Sequence, residues 1–120
     1  MNFEPGSIIK RSLGGWCGLF YYHMGVYIGD GAVIHFNGEK PKSKSARVCK
    51  DTLEQFTAGK PVKLHAAPRN AVHAQAICTA ALAHYQNEQN GFNDRYDFFN
   101  NNCESFCVSC YEVGYVVSEV

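Results

Sequence analysis

The stretch YHMGVYIGDGAVIHF, residues 22–36, leaves little freedom in what it can become. Apolar and polar residues alternate around Gly29-Asp30-Gly31, which is the signature of a β-hairpin. The register is the open point. A two-residue Asp30-Gly31 turn would set Val26 opposite His35. A three-residue turn over 29–31 sets Ile28 opposite Ala32, Val26 opposite Ile34 and Met24 opposite Phe36. Only the second gives a wholly apolar face. Register follows the buried face, because a slip of one residue inverts every side chain. The expectation is therefore a three-residue turn, with Gly31 at a left-handed bulge position. His23, Gly25, Tyr27, Val33 and His35 then share the other face. Gly25 lies across from His35, and His23 is a diagonal neighbour at roughly 7–8 Å. Two histidines so placed suit a relay in which one is the base and the other orients it.

A second stretch, NNNCESFC at 100–107, reads as a helix start. Asparagine is a strong N-cap, and Asn101 with Glu104 three residues on has capping-box spacing. Cys103 then falls in the first helical turn, at the positive end of the helix dipole, where a thiol loses its proton more readily. A structural cysteine gains nothing from that location, and a nucleophile does. A lone histidine in the hairpin would read as structural. The pair together with this cysteine reads as a Cys/His site.

The remaining chain supports one domain over residues 1–120. Residues 7–11 read as a strand, 12–20 as a Gly-rich loop, and 51–59 as a short helix capped by Asp51 and stopped at Gly59. Residues 61–67 read as a strand, and Ala-rich 70–89 as a long helix with Ala74, Ile77, Ala81 and Tyr85 at helical spacing. YDFF at 96–99 leads into the last helix. Net charge is zero but divided: ten Lys/Arg against five Asp/Glu in residues 1–69 give +5, and one against six in 70–120 gives −5. The basic stretch at 39–50 reads as a solvated loop, and the neutral total argues against nucleic acid as a partner. No apolar run reaches the roughly 18 residues of a membrane span, and the N-terminal segment has no signal-peptide core. The expectation is a cytoplasmic protein with six reduced cysteines, Cys17, Cys49, Cys78, Cys103, Cys107 and Cys110. Cys103, Cys107 and Cys110 have the spacing of an iron–sulfur motif, but this chain is too short for the barrel that holds one. Cys107 and Cys110 read as packed core thiols, and His65, His73 and His84 as structural. No metal and no cofactor are expected.

The hairpin and the Asn-Cys-Glu box together resemble the lecithin:retinol acyltransferase-like family, also called the H-box/NC family, and EPGSII at 4–9 resembles its opening strand. The family includes small phospholipase/acyltransferases related to the HRAS-like suppressors and certain picornaviral proteins. The resemblance covers residues 4 to about 113 in family order. It implies an α+β, circularly permuted papain-like (NlpC/P60) fold, with an antiparallel sheet packed against helices. It also implies roles: Cys103 the nucleophile, His23 the base, His35 the orienting residue. Two positions depart from the family pattern. Ser105 stands where the box usually has histidine, and Met24 where tryptophan or tyrosine is common. The chain shows no C-terminal hydrophobic anchor, so constitutive membrane anchoring is not expected.

The function implied is thiol-dependent acyl transfer or hydrolysis on lipid esters, through a thioester on Cys103. The Cys103 backbone N–H is the expected oxyanion donor, Tyr22 the candidate second donor, and Asn102 a supporting residue. Trp16, Leu19 and Phe20 are candidates for an apolar lip that meets an acyl chain or a bilayer surface. The partner expected is an acyl-lipid substrate, met through peripheral membrane contact. Two alternatives remain: a cysteine peptidase or isopeptidase on the same fold, and an inactive interaction module like the viral members.

Overall fold

The computed structural model describes residues 3–12, 22–37, 46–95 and 102–119. Strands β1 (Ser7–Ser12), β2 (Tyr22–Gly29), β3 (Ala32–Asn37) and β4 (Arg47–Thr52) are followed by the short helix α1 (Leu53–Thr57), then β5 (Val62–Ala66), α2 (Ala71–Gln86) and α3 (Cys103–Glu119). The strands form one sheet in the order β4-β3-β2-β1-β5, and every neighbouring pair is antiparallel.

The hairpin reaches the expected register by another route. Val26 pairs with Ile34, yet Gly29 also pairs with Ala32, which leaves only Asp30 and Gly31 in the turn. Both have positive φ, 53° and 72°, as a type I′ turn requires. The extra residue is absorbed by a register shift between Tyr27 and Gly29. A bulge in β2 therefore replaces the three-residue loop. The tight turn matches strand twist, and the bulge restores the pairing that keeps Val26 and Ile34 buried together.

β4 corrects the reading of 39–50 as a solvated loop throughout. Val48 is buried, and Arg47 to Thr52 pair along the whole of β3. Lysine and arginine on an edge strand are a usual guard against further pairing, and they disguised the strand as a loop. The outer edge is partly covered: the Val48 N–H donates to Asn93 Oδ1 at 2.8 Å. Asp51 belongs to this strand and does not cap α1. Thr52 caps it, in a reciprocal capping box with Gln55. Asn70 caps α2 by accepting from the His73 N–H.

Both faces of the sheet are covered. On one, Ile8, Met24, Val26, Ile34, Phe36 and Val48 pack against Ile77 and Ala81 of α2 and Cys103, Phe106, Cys107 and Cys110 of α3. On the other, Ile9, Val33 and Val62 lie beneath Phe56 of α1. Full burial of a side chain such as Phe56 or Phe106 contributes on the order of 1.5–3 kcal/mol. The second face carries the histidines, and among the described residues Phe56 of α1 packs over both rings.

Candidate active site

Cys103 opens α3, and the local sequence explains why the helix starts there. Asn102 Oδ1 accepts from the Ser105 N–H at 2.9 Å, and Ser105 Oγ accepts from the Asn102 N–H at 2.7 Å. The box is therefore Asn102 with Ser105, one residue later than the expected Asn101–Glu104 pair; Asn101 lies outside the described residues. Ser105, the departure from the family pattern, is the residue that closes the cap. The Cys103 side chain is 6% exposed, and its thiol donates to the Tyr22 carbonyl at 3.7 Å. Tyr22 directly precedes His23 on β2, so the sulfur adjoins the strand end that carries the first histidine.

His23 and His35 meet on the face the hairpin pattern assigns them. His23 Nε2 and His35 Nδ1 are 2.8 Å apart, and the rings stand edge to face at 85°. Gly25 makes room for this. A Cβ there would lie 2.7 Å from Val33 Cγ1, 3.0 Å from Phe56 Cε2 and 3.2 Å from His35 Cβ. Phe56 roofs both rings, stacked on His23 at 5.4 Å and edge-on to His35 at 5.3 Å.

Two further residues complete the group, and neither was anticipated from the sequence. Asp51 Oδ2 lies 2.7 Å from His35 Nε2, extending the pair into a chain of three. A carboxylate only accepts, so His35 Nε2 carries the proton. Neutral His35 then has a bare Nδ1, which accepts from His23 Nε2–H. Neutral His23 is left with a bare Nδ1. One carboxylate thus sets the tautomer of two imidazoles in series. Reading Asp51 as a helix cap hid this role; the Cys49/Asp51 alternation with Val48/Lys50 was the signal available.

Arg11 is the second. It pairs directly opposite His23 across β1 and β2. Its Cζ lies 5.7 Å from the Phe56 ring centroid, and its buried Nε has no hydrogen-bond partner among the described residues. Its charge acts on Cys103 and on both histidines. Burial, then His35, then Arg11 push His23 down from 6.5 to about 3. Burial also lowers His35, against the opposing hydrogen bond and charge of Asp51. The imidazoles are accordingly neutral at physiological pH. Elsewhere burial raises the thiols: Cys110 to about 12, Cys107 well above its usual range, and Cys78 upward. These agree with packed, unreactive cysteines. His73 is fully buried between the Arg69 N–H and the Tyr111 carbonyl, a structural histidine.

Tyr22 contributes its carbonyl, while its side chain is 44% exposed with Lys10 Nζ 4.6 Å above the ring. Trp16, Leu19 and Phe20 lie outside the described residues, as do Cys17 and residues 96–101. His35, Cys49 and Asp51 hold their donor atoms within 4.8 Å of one another and form the one group of this kind among the described residues.

An antiparallel sheet that presents paired histidines, with a cysteine opening the helix packed on it, defines an α+β protein of the permuted papain-like, NlpC/P60 type. The chain belongs to the lecithin retinol acyltransferase family, whose model matches residues 2–115. Acyl transfer is the activity this membership suggests. A comparison with curated proteins gives no match. Among the described residues no helix is long and apolar enough to cross a membrane.

Proposed function

We propose that this protein transfers or hydrolyses acyl groups of lipid esters through a thioester on Cys103. The observation that carries the reading is the continuous Asp51–His35–His23 chain, which leaves His23 Nδ1 unprotonated, together with a thiol that meets the carbonyl of Tyr22, the residue before His23. His23, held neutral, acts as a general base at the moment of attack rather than as one half of a resting ion pair. The thiol proton passes to His23 Nδ1 as sulfur attacks the ester carbonyl. The tetrahedral oxyanion collapses, the C–O bond breaks, and the alkoxide takes the proton back from His23. Water, an alcohol or an amine then gives its proton to His23, attacks the thioester and expels the thiolate, which takes the proton back from His23. The helix N-terminus and Arg11 favour negative charge near the sulfur, and the Cys103 N–H donates to the oxyanion, with Tyr22 as candidate second donor. Trp16, Leu19 and Phe20 are proposed to meet the acyl chain, with peripheral contact at a cytoplasmic membrane face.

The test is intact mass spectrometry after incubation with a short-chain phosphatidylcholine, alongside Cys103→Ala and His23→Ala. An acyl adduct on the wild type that Cys103→Ala abolishes supports the reading. A reactive Cys103 with no adduct and no lipid turnover points instead to peptidase or isopeptidase chemistry. An unreactive Cys103 leaves a non-catalytic interaction module.

A further inference from the structure

We propose that His35, Cys49 and Asp51 form an inhibitory zinc site built against the back of the histidine pair. Cys49 pairs directly with His35 across β3 and β4, and Asp51 lies two residues further along β4 on the same face. His35 Nε2 is 2.7 Å from Asp51 Oδ2 and 3.3 Å from Cys49 Sγ, and all three donors lie within 4.8 Å of one another. Tetrahedral zinc with ordinary bond lengths needs its donors about 3.3–3.6 Å apart. The His–Asp separation must open by about half an ångström to admit the ion, a motion within reach of side-chain torsions. Thiolate, imidazole and carboxylate together suit zinc, whereas magnesium and calcium call for oxygen donors. The Asp51 side chain is 35% exposed, so the ion enters from the β4 edge and water completes its coordination. The Cys49 thiol proton leaves to solvent as the Zn–S bond forms.

The consequence for the site follows from proton placement and rests on the function proposed above. Today Asp51 holds the His35 proton on Nε2 and leaves Nδ1 bare. Zinc on Nε2 reverses this: the Nε2 proton leaves to solvent, Nδ1 is protonated in its place, and a metal-bound histidine donates that proton to its neighbour. The neighbour is His23 Nε2, 2.8 Å away. His23 Nε2 must then accept, and its own proton moves to Nδ1, the nitrogen that served as base. The metal thus switches off the base without touching Cys103.

Cobalt(II) serves as the spectroscopic probe, read without substrate so that its outcome is independent of lipid turnover. Thiolate-to-cobalt charge-transfer absorption is expected to saturate at one metal per chain in the wild type and in Cys103→Ala, to vanish in Cys49→Ser, and to be displaced by zinc. A band that persists in Cys49→Ser places the metal at another thiol, and one that disappears in Cys103→Ala places it at the nucleophile; either overturns the site. Asp51→Asn keeps the test decisive if Cys49→Ser fails to fold: it must weaken cobalt binding while circular dichroism is unchanged. Zinc should slow alkylation of Cys103 by iodoacetamide roughly tenfold or more in the wild type, and not in Cys49→Ser. Metal bound at Cys49 with an unchanged alkylation rate would overturn the control of His23.

Discussion

Acidification from about pH 7 to about pH 4 is expected to destabilise the protein through His23 more than through a surface histidine. His23 is 6% exposed, and its pKa falls from 6.5 to about 3 on folding. The folded state therefore binds fewer protons than the unfolded chain between those values. Stability from this group is full above the unfolded pKa and is lost as pH falls toward the folded one. Each pH unit across the window costs about 1.4 kcal/mol per proton, so the two and a half units from 6.5 to about 4 cost about 3 kcal/mol. The control is His23→Gln, whose amide can still donate to His35 Nδ1 but does not titrate. Urea unfolding of both proteins at the two pH values isolates the term, since carboxylates contribute equally to each. The wild type should lose about 3 kcal/mol more than the variant, a further midpoint shift of roughly 1–3 M urea. Equal losses in the two proteins would refute the reasoning. His23 would then titrate normally, and the neutral-base mechanism would lose its foundation.

Gly25→Ala drives a Cβ to 2.7 Å from Val33 Cγ1 and 3.2 Å from His35 Cβ. It should cost about 1–3 kcal/mol in thermal unfolding and slow Cys103 alkylation by displacing His35. Asp51→Asn lets an amide donate to His35 Nε2 and so favours the opposite tautomer along the pair. Acyl transfer should fall roughly 10²–10⁴-fold with little change in melting temperature, and nitrogen NMR of the imidazoles should report the exchange of protonated positions. Asn102→Ala removes the cap of α3 and should cost about 0.5–2 kcal/mol in chemical denaturation, with lower Cys103 reactivity as the first turn frays.

The local features were legible because they depend on neighbours in the chain. The pairing of Val26 with Ile34 followed from the demand for one apolar face, and it held although the turn itself was misjudged. An Asp30-Gly31 turn with a β2 bulge and a three-residue turn bury the same residues, so hydrophobic pattern alone does not separate them. The helix start at Cys103 was legible for the same reason. Three consecutive asparagines left the capping residue ambiguous by one position, and the hydrogen bonds of Asn102 with Ser105 resolved it. β4 was obscured because its charged residues look like a solvated segment until the open edge of β3 is placed beside them.

The sequence by itself determined the hairpin face carrying His23 and His35, the position of Cys103 at the head of a helix, and the resemblance to an acyltransferase family. Those rest on short-range periodicity, capping chemistry and motif order. Only the tertiary structure decided that Asp51 reaches His35, that Cys49 joins them, that Arg11 stands opposite His23, and that Phe56 closes over both rings. Each of these joins segments distant along the chain. Their approach is set by strand register and by the packing of α1, and burial, which sets the protonation state of the histidines, exists only once that packing is complete.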